Sequence, residues 1–341
     1  MCRAAAACGE TCRASFEWLW ATASGGGVSQ ELTFNDVSGD GSVILGVHTT
    51  NDNGDEVRRA YVWRWGMQGF TQVPEGQGSY PVGINFDATI VGGAAETCAG
   101  SDCTYPAARW TKAGVSLVPG NPGALYGISE AGAVVGFQRD TDSVLQSYVF
   151  NGTTTTFAAT LALSSISGDG THCGGAADGG PVVLWYSNGT QSIPSTSPFR
   201  ADGVNAINRD GSVVVGYGWD SSEQTDPMFL WRVGHGVDVI QPLAGFPQVI
   251  PWDISADGSV VVGVNRQFAV QPPTPVTDIE AFYWDTPGGL RSVADELTTR
   301  GVTLPADLQL HGVKLSADGS VLMGDGFQDG KAILWRAQLF P

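Results

Sequence analysis

Positive charge is scarce in this sequence. Seventeen Lys and Arg stand against 34 Asp and Glu, a formal charge of −17, and charged residues of both signs make up 15% of the chain. A phosphate backbone or an anionic lipid surface needs clustered cations to release its counterions, and the densest basic spot is Arg58-Arg59. The balance argues against nucleic acid and favours cationic partners or divalent ions. Histidine is rarer still: His48, His172, His235 and His311 are scattered, and no Cys/His spacing matches a zinc site. Long apolar runs are missing, none approaching the ~20 residues of a membrane helix. Nucleophile-elbow, HExxH, P-loop and dinucleotide fingerprints are all absent.

Glycine, by contrast, is plentiful at 47 residues, and aromatic residues make up 10%. That mixture suits many short strands joined by tight turns. With 42% hydrophobic residues the chain is too apolar for disorder. The Ala-rich start, with Cys2, Cys8 and Cys12, lacks a long apolar core and a cleavage site. Residues 1–15 are read as a leader or disordered tail, and 16–341 as a single domain.

One phrase recurs seven times: a small or apolar residue, Ser or Asn, an Asp-Gly-like turn, an apolar run and then Gly. It begins at Asp36, Gly83, Gly127, Ser165, Ala206, Asp253 and Lys314. Each copy is followed by a strand-like phrase ending at Trp63, Trp110, Phe150, Trp185, Trp231, Trp284 or Trp335. The period, roughly 40–47 residues with one longer step, is that of four-stranded propeller blades. Asp-Gly turns admit φ > 0 and close tight hairpins, so the short segment before each turn and the Val-rich segment after it should pair antiparallel. A blade cannot bury both faces alone and must stack on neighbours. The last copy lacks a fourth strand, while Phe16–Trp20 precedes the first copy with nothing local to pair with. The expectation is an all-β, seven-bladed β-propeller with four antiparallel strands per blade, its ring closed by an N-terminal strand completing the C-terminal blade.

The phrases Ile254–Gly263 and Glu280–Trp284 resemble the HAF-type bacterial extracellular repeat, and the likeness spans roughly residues 36–336. The naming His-Ala-Phe triplet appears here as Glu280-Ala281-Phe282 or Arg59-Ala60-Tyr61. The resemblance implies a propeller-like fold and an extracellular or cell-surface setting. It brings no catalytic residues.

The repeated Asp40, Asp169, Asp210, Asp257 and Asp318 are read as turn stabilisers rather than a metal or catalytic array. The Trp series is read as core. Function then falls to the connections between second and third strands, which vary in length and are acidic; variable loops on a rigid scaffold are where binding usually resides. They carry Glu96 with Asp102, Asp140 with Asp142, Asp220 with Glu223 and Asp226, Asp278 with Glu280, and Asp325 with Asp329. Trp219 lies beside the third group, and it, Trp252, Tyr217 and Phe137 fall outside the repeat phrases. An aromatic beside carboxylates suits stacking on a sugar, so Trp219, Asp220, Glu223, Asp226, Asp140 and Asp142 form the expected ligand site. Oxygen-rich Asp52, Asn53, Asp55 and Glu56 flank a glycine and are the candidate Ca²⁺ ligands; otherwise no cofactor is expected. Cys98 and Cys103 allow either a small disulfide hairpin or free thiols. Asn151-Gly152-Thr153 and Asn188-Gly189-Thr190 match glycosylation acceptors and also read as turns.

The reading is a monomeric, secreted or surface-exposed binding scaffold that meets a glycan or protein ligand on its acidic loop face. The alternative is a carbohydrate-active enzyme, a glycoside hydrolase or lyase, with carboxylates gathered near the central channel. Two carboxylates close together in a deep pocket, one with a raised pKa, would favour the enzyme.

Overall fold

The computed structural model describes residues 14–339 except 21, 26–27, 53–54, 65–70, 73–78, 100–101, 120–123, 140–141, 143, 187–188 and 268–278. Seven antiparallel sheets follow one another around a ring, numbered here as blades 1 to 7 in chain order. From the axis outward, blade 3 runs Leu125–Ile128, Val134–Arg139, Leu145–Phe150 and Thr155–Ala159. Blade 5 runs Phe199–Ile207, Val213–Asp220, Met228–Arg232 and Val237–Ile240. Blade 1 carries an additional strand, Thr22–Gly25, and blade 2 an inserted hairpin, Thr97–Ala99 with Asp102–Thr104. In that hairpin Cys98 stands opposite Cys103 in register. After blade 6 a short helix, Val293–Thr299, begins at Ser292, whose hydroxyl accepts from the Asp295 amide.

Closure is as the sequence leads one to expect. Ser15–Trp20 pairs with Lys331–Gln338, setting Trp18 opposite Trp335, and so supplies the outermost strand of blade 7. Phe16 stacks on Trp335 at 6.0 Å between ring centroids. The cores lie between blades: Val215 and Leu230 of blade 5 pack with Val261 and Phe282 of blade 6. Trp110, Trp231, Trp284 and Trp335 are buried.

The inner strands of blades 1 to 6 share one irregularity. Their pairing with the second strand slips between Phe34 and Asp36, Pro81 and Gly83, Leu125 and Gly127, Leu163 and Ser165, Val204 and Ala206, and Pro251 and Asp253. Each slip is a β-bulge, one extra residue that kinks the strand and draws two backbones together. In blade 7 the inner strand is split outright, into Gln309–Leu310 and Lys314–Leu315. Opposite each irregularity stands a glycine of the second strand. A Cβ on Gly263 would land on the Ile250 carbonyl oxygen and reach Phe282 at 2.8 Å, and one on Gly216 would meet the Gly203 carbonyl and Phe229. The glycine that ends every repeat phrase is therefore required by close backbone approach.

Replacing Gly263 with Ala should cost about 1–3 kcal/mol or more by overpacking. Gly236→Ala, where a Cβ meets nothing within 4 Å, serves as the control and should leave the melting temperature unchanged. Equal melting temperatures for the two variants would contradict the bulge argument.

Candidate functional site

The bulges aim side chains at the axis. Tyr126, Ser164, Asn205 and Trp252, with Asp36, Asp253 and Lys314 from the adjacent position, line a central channel of about 190 Å³. Its polar groups tie blade to blade. Asp36 accepts from the Ile84 amide of blade 2 at 2.9 Å, and Asp253 from the Leu315 amide of blade 7 at 3.1 Å. Lys314 Nζ donates to the Trp252 carbonyl at 3.0 Å and lies 3.9 Å from Asp36 Oδ1. Asn35 Nδ2 donates to the Pro81 carbonyl, and Ser164 Oγ to the Val204 carbonyl. Burial pushes the Asp36 carboxyl up to about 6; Asp253 adds to the rise and Lys314 opposes it. Burial raises Asp253 as well, again against the pull of Lys314.

On the face of the Asp-Gly turns the polar groups are consumed internally. In blade 6, Ser255 Oγ donates to Asp257 at 2.7 Å and accepts from the Val260 amide, while Asp257 also takes the Ser259 amide and hydroxyl. The same set recurs in blade 4 with Ser167 and Asp169, and in blade 5 with Asn208 and Asp210. Asp87 of blade 2, outside the Asp-Gly series of the sequence, does the same through Thr89 and Asn85. Blade 3 departs: its turn has no Asp, and Ser129 Oγ alone caps the Ala133 amide.

A belt of backbone hydrogen bonds joins these turns around the mouth of the channel. Glu130 donates to Gly168, Arg209 to Ala256, Ala256 to Ala317 and Ala317 to Gly39, each from amide to carbonyl. Over it, Arg209 of blade 5 pairs with Glu130 of blade 3 at 2.5 Å. The turn aspartates of the Asp-Gly face are thus engaged within their own turns, and the turns are joined to one another.

The opposite face is uneven. Between blades 3 and 4 it opens a groove of about 640 Å³, lined by Tyr126, Phe137, Gln138, Leu145, Ala162 and Ala176 among others. Tyr126 lines both groove and channel. Trp219 sits near the end of a blade 5 strand, half-buried opposite Arg200; Asp220 ends that strand, and Glu223 and Asp226 follow it. Asp220 is buried and accepts from the Ser222 amide and hydroxyl and from Gln241, and the Ser222 hydroxyl leads in holding it below the usual range. Asp226 takes the Gln248 amide of blade 6, and burial raises it. Glu223 and Asp142 are exposed, and Asp140 lies outside the described residues. Asp52 and Asp55 face each other at the end of a hairpin with Glu56 next in line; Asn53 and the side chains of the other three lie outside what is described.

Trp252 is not on a face loop but at a bulge, where it lines the channel. Tyr217 lies in a strand, over Gly203. Among the described residues no group of three or more His, Cys, Asp or Glu is placed to hold a metal. Cys173 is buried, which pushes its thiol up to about 12 and makes it unreactive. Asn151 turns its side-chain oxygen onto the Thr153 and Thr154 amides. The channel residues Asp36, Asp253 and Lys314, and Tyr126 one position earlier in its repeat, escaped sequence reasoning because neither of these two repeat positions carries a common residue type.

No family model and no curated protein matches the chain. Among solved structures it is similar to an oligogalacturonate lyase in complex with manganese, at TM-score 0.57 and 13% identity, covering 96% of both chains. The β-propeller domain of the Trilobed protease from Pyrococcus furiosus gives 0.56 and 10%, covering 92% of this chain and 96% of that one. The Pyrococcus horikoshii acylaminoacyl peptidase gives 0.54 and 12%, but this chain spans only 52% of that protein's length. At these identities the likeness is one of fold. The protease domain is described as having an open velcro topology, whereas here Ser15–Trp20 zips the ring shut.

These carboxylates set opposite pH trends. Asp36, raised to about 6 from an ordinary 3.8, favours the folded state once protonated. Its stabilising effect is complete below 3.8 and is lost as pH rises through 6. The turn aspartates, such as Asp87 through the Thr89 hydroxyl and Asp210 through that of Ser212, lie below 3.8. Their contribution is full above 3.8 and is lost as pH falls through their lowered values. Melting temperature against pH should therefore peak between about 4 and 6, and Asp36→Asn should flatten the fall between pH 4 and 7. A wild-type maximum above pH 7 would contradict the assignment.

Proposed function

We propose that this propeller is a secreted or surface-exposed binding scaffold, monomeric, that meets its ligand on the face opposite the Asp-Gly turns. One observation carries the reading: the two faces are built differently. The Asp-Gly face spends its turn side chains on its own turns and rings the channel mouth with a belt of backbone hydrogen bonds. The other face has unequal loops, exposed Asp142 and Glu223, and a groove of about 640 Å³. No helix among the described residues is long and apolar enough to cross a membrane.

A second reading, a carbohydrate-active enzyme working in the channel, draws on the raised Asp36 and Asp253. Against it, both carboxylates already accept amides from the next blade, and about 190 Å³ is small beside the roughly 300–1,000 Å³ of small-molecule sites. Calcium at Asp52, Asn53, Asp55 and Glu56 is a further part of the proposal. A melting temperature that does not move between Ca²⁺ and chelator removes it.

The reading is tested by screening glycans and proteins against the wild-type chain and two charge-reversal variants. Asp142→Lys with Glu223→Lys, on the loop face, should slow capture of a cationic partner by about tenfold. Lys112→Glu, in an exposed turn on the other face, should not. A partner lost with Lys112→Glu but kept by the loop-face variant would overturn the assignment of faces.

A further inference from the structure

At the groove between blades 3 and 4 the two blades leave their interface unfilled. Phe137 follows Gly136 on the second strand of blade 3, and across the gap blade 4 offers Ala162, Ala176 and Ala177, with Asp178 and Gly179 in the turn that follows. Tyr126, the bulge residue of blade 3, stacks on Phe137 with centroids 4.6 Å apart and planes within 6°. It is nonetheless 42% exposed. Phe137 covers one face of the phenol ring, and Tyr126 lines the groove as well as the channel. The platform is held rigidly from below. Ser147, fully buried and opposite Phe137 in register, donates to the Leu161 carbonyl at 2.6 Å and accepts from the Leu163 amide at 2.8 Å. These two bonds fix the spacing of the groove's walls across the blade boundary.

We propose that this groove binds a neutral saccharide, with one sugar ring lying by its C–H face on Tyr126. The inference rests on the loop face being the binding face. A pyranose has an apolar face and a rim of hydroxyls that both donate and accept. The groove presents an aromatic face with a polar tip, a kind of surface that serves ligands apolar on one side and wet at the edge. Its alanine wall leaves room for the thickness of a ring. Gln138 and Asp178 line the same groove and add hydrogen-bonding side chains to it. The volume falls within the roughly 300–1,000 Å³ of small-molecule sites. Asp178 and a net charge of −17 select against uronates and sulfated sugars.

The test is calorimetric titration of the full chain with neutral hexaoses of glucose, xylose and mannose, and with hexagalacturonate as the acidic counterpart. At least one neutral hexaose should bind and hexagalacturonate should not. Tyr126→Ala should weaken binding about tenfold or more. Ala176→Phe, which fills the groove and leaves Tyr126 in place, should do the same and decides the matter if the first variant does not fold. Neutral hexaoses that fail to bind, or that bind both variants as well as wild type, overturn the inference. If they fail while a protein partner is still captured through Asp142 and Glu223, the loop-face reading stands and only the saccharide falls. If neither sugar nor protein is captured, both fall.

Discussion

The geometry of this ring turns on a backbone contact. In each blade the inner strand is broken from regular pairing, and its carbonyl comes so close to the second strand that only glycine fits there. The contact shapes the blade on both of its sides. Outward, it makes room for a third-strand aromatic to lie over the glycine: Tyr61 over Gly46, Tyr148 over Gly136, Phe229 over Gly216, Phe282 over Gly263 and Trp335 over Gly324. In blades 1 and 3 the tyrosine hydroxyl also donates to the very carbonyl that crowds the glycine, Thr33 at 3.2 Å and Ala124 at 3.3 Å. Inward, the extra residue of the bulge is turned toward the axis and becomes channel wall.

The architecture was legible because its requirements recur. Glycine at the close approach, Ser or Asn under the turn and an aromatic in the third strand are each demanded seven times or nearly so, and repetition exposes a physical need even in one sequence. The closing strand was legible for a different reason: Phe16–Trp20 was a strand without a partner and the blade of Trp335 a sheet without an edge. The channel was not legible. The residue that opens each repeat phrase is Asp36, Gly83, Gly127, Ser165, Ala206, Asp253 or Lys314, a series with no common chemistry. Only the ring brings Asp36 and Lys314 to 3.9 Å from each other across the closure between blades 7 and 1. Trp252 was singled out for standing outside the repeat phrases, but its place at a bulge needed the register. Asp220 and Asp226 read as free acidic loop residues in sequence, yet Gln241 and Gln248, some 20 positions downstream, engage them.

The channel carboxylates illustrate why a raised pKa is weak evidence of catalysis on its own. Structural networks perturb titration as readily as active sites do. Asp36 and Asp253 occupy equivalent positions in blades 1 and 6, and each makes the same bond, to an inner-strand amide of the following blade. A bond repeated at symmetry-equivalent places is what a scaffold needs. Lys314 sits between them as an internal counter-ion, since two carboxylates in so narrow a channel would otherwise repel. The triad is best understood as a latch across the ring closure, with proton uptake by Asp36 near pH 6 as a by-product of that carboxyl's burial.

If the repeated features belong to the scaffold, a ligand site should lie where repetition lapses, and the lapses converge on one blade. Blade 3 alone replaces the turn aspartate with Ala131 and shortens the turn, so that Ser129 caps the amide four residues on rather than five. It places Tyr126 at its bulge, where other blades have Asn35, Val82, Ser164, Asn205 or Trp252, and it follows its glycine with Phe137 where blade 4 has Ala176. Neither aromatic is needed to fill a core, since Tyr126 stays 42% exposed, and the alanines opposite leave the space in front of the pair open. A stacked pair in an unfilled gap, braced by the buried Ser147, loses apolar burial that larger residues in blade 4 would recover. Selection for stability alone gives no reason to keep such a gap, whereas a ligand that fills it does.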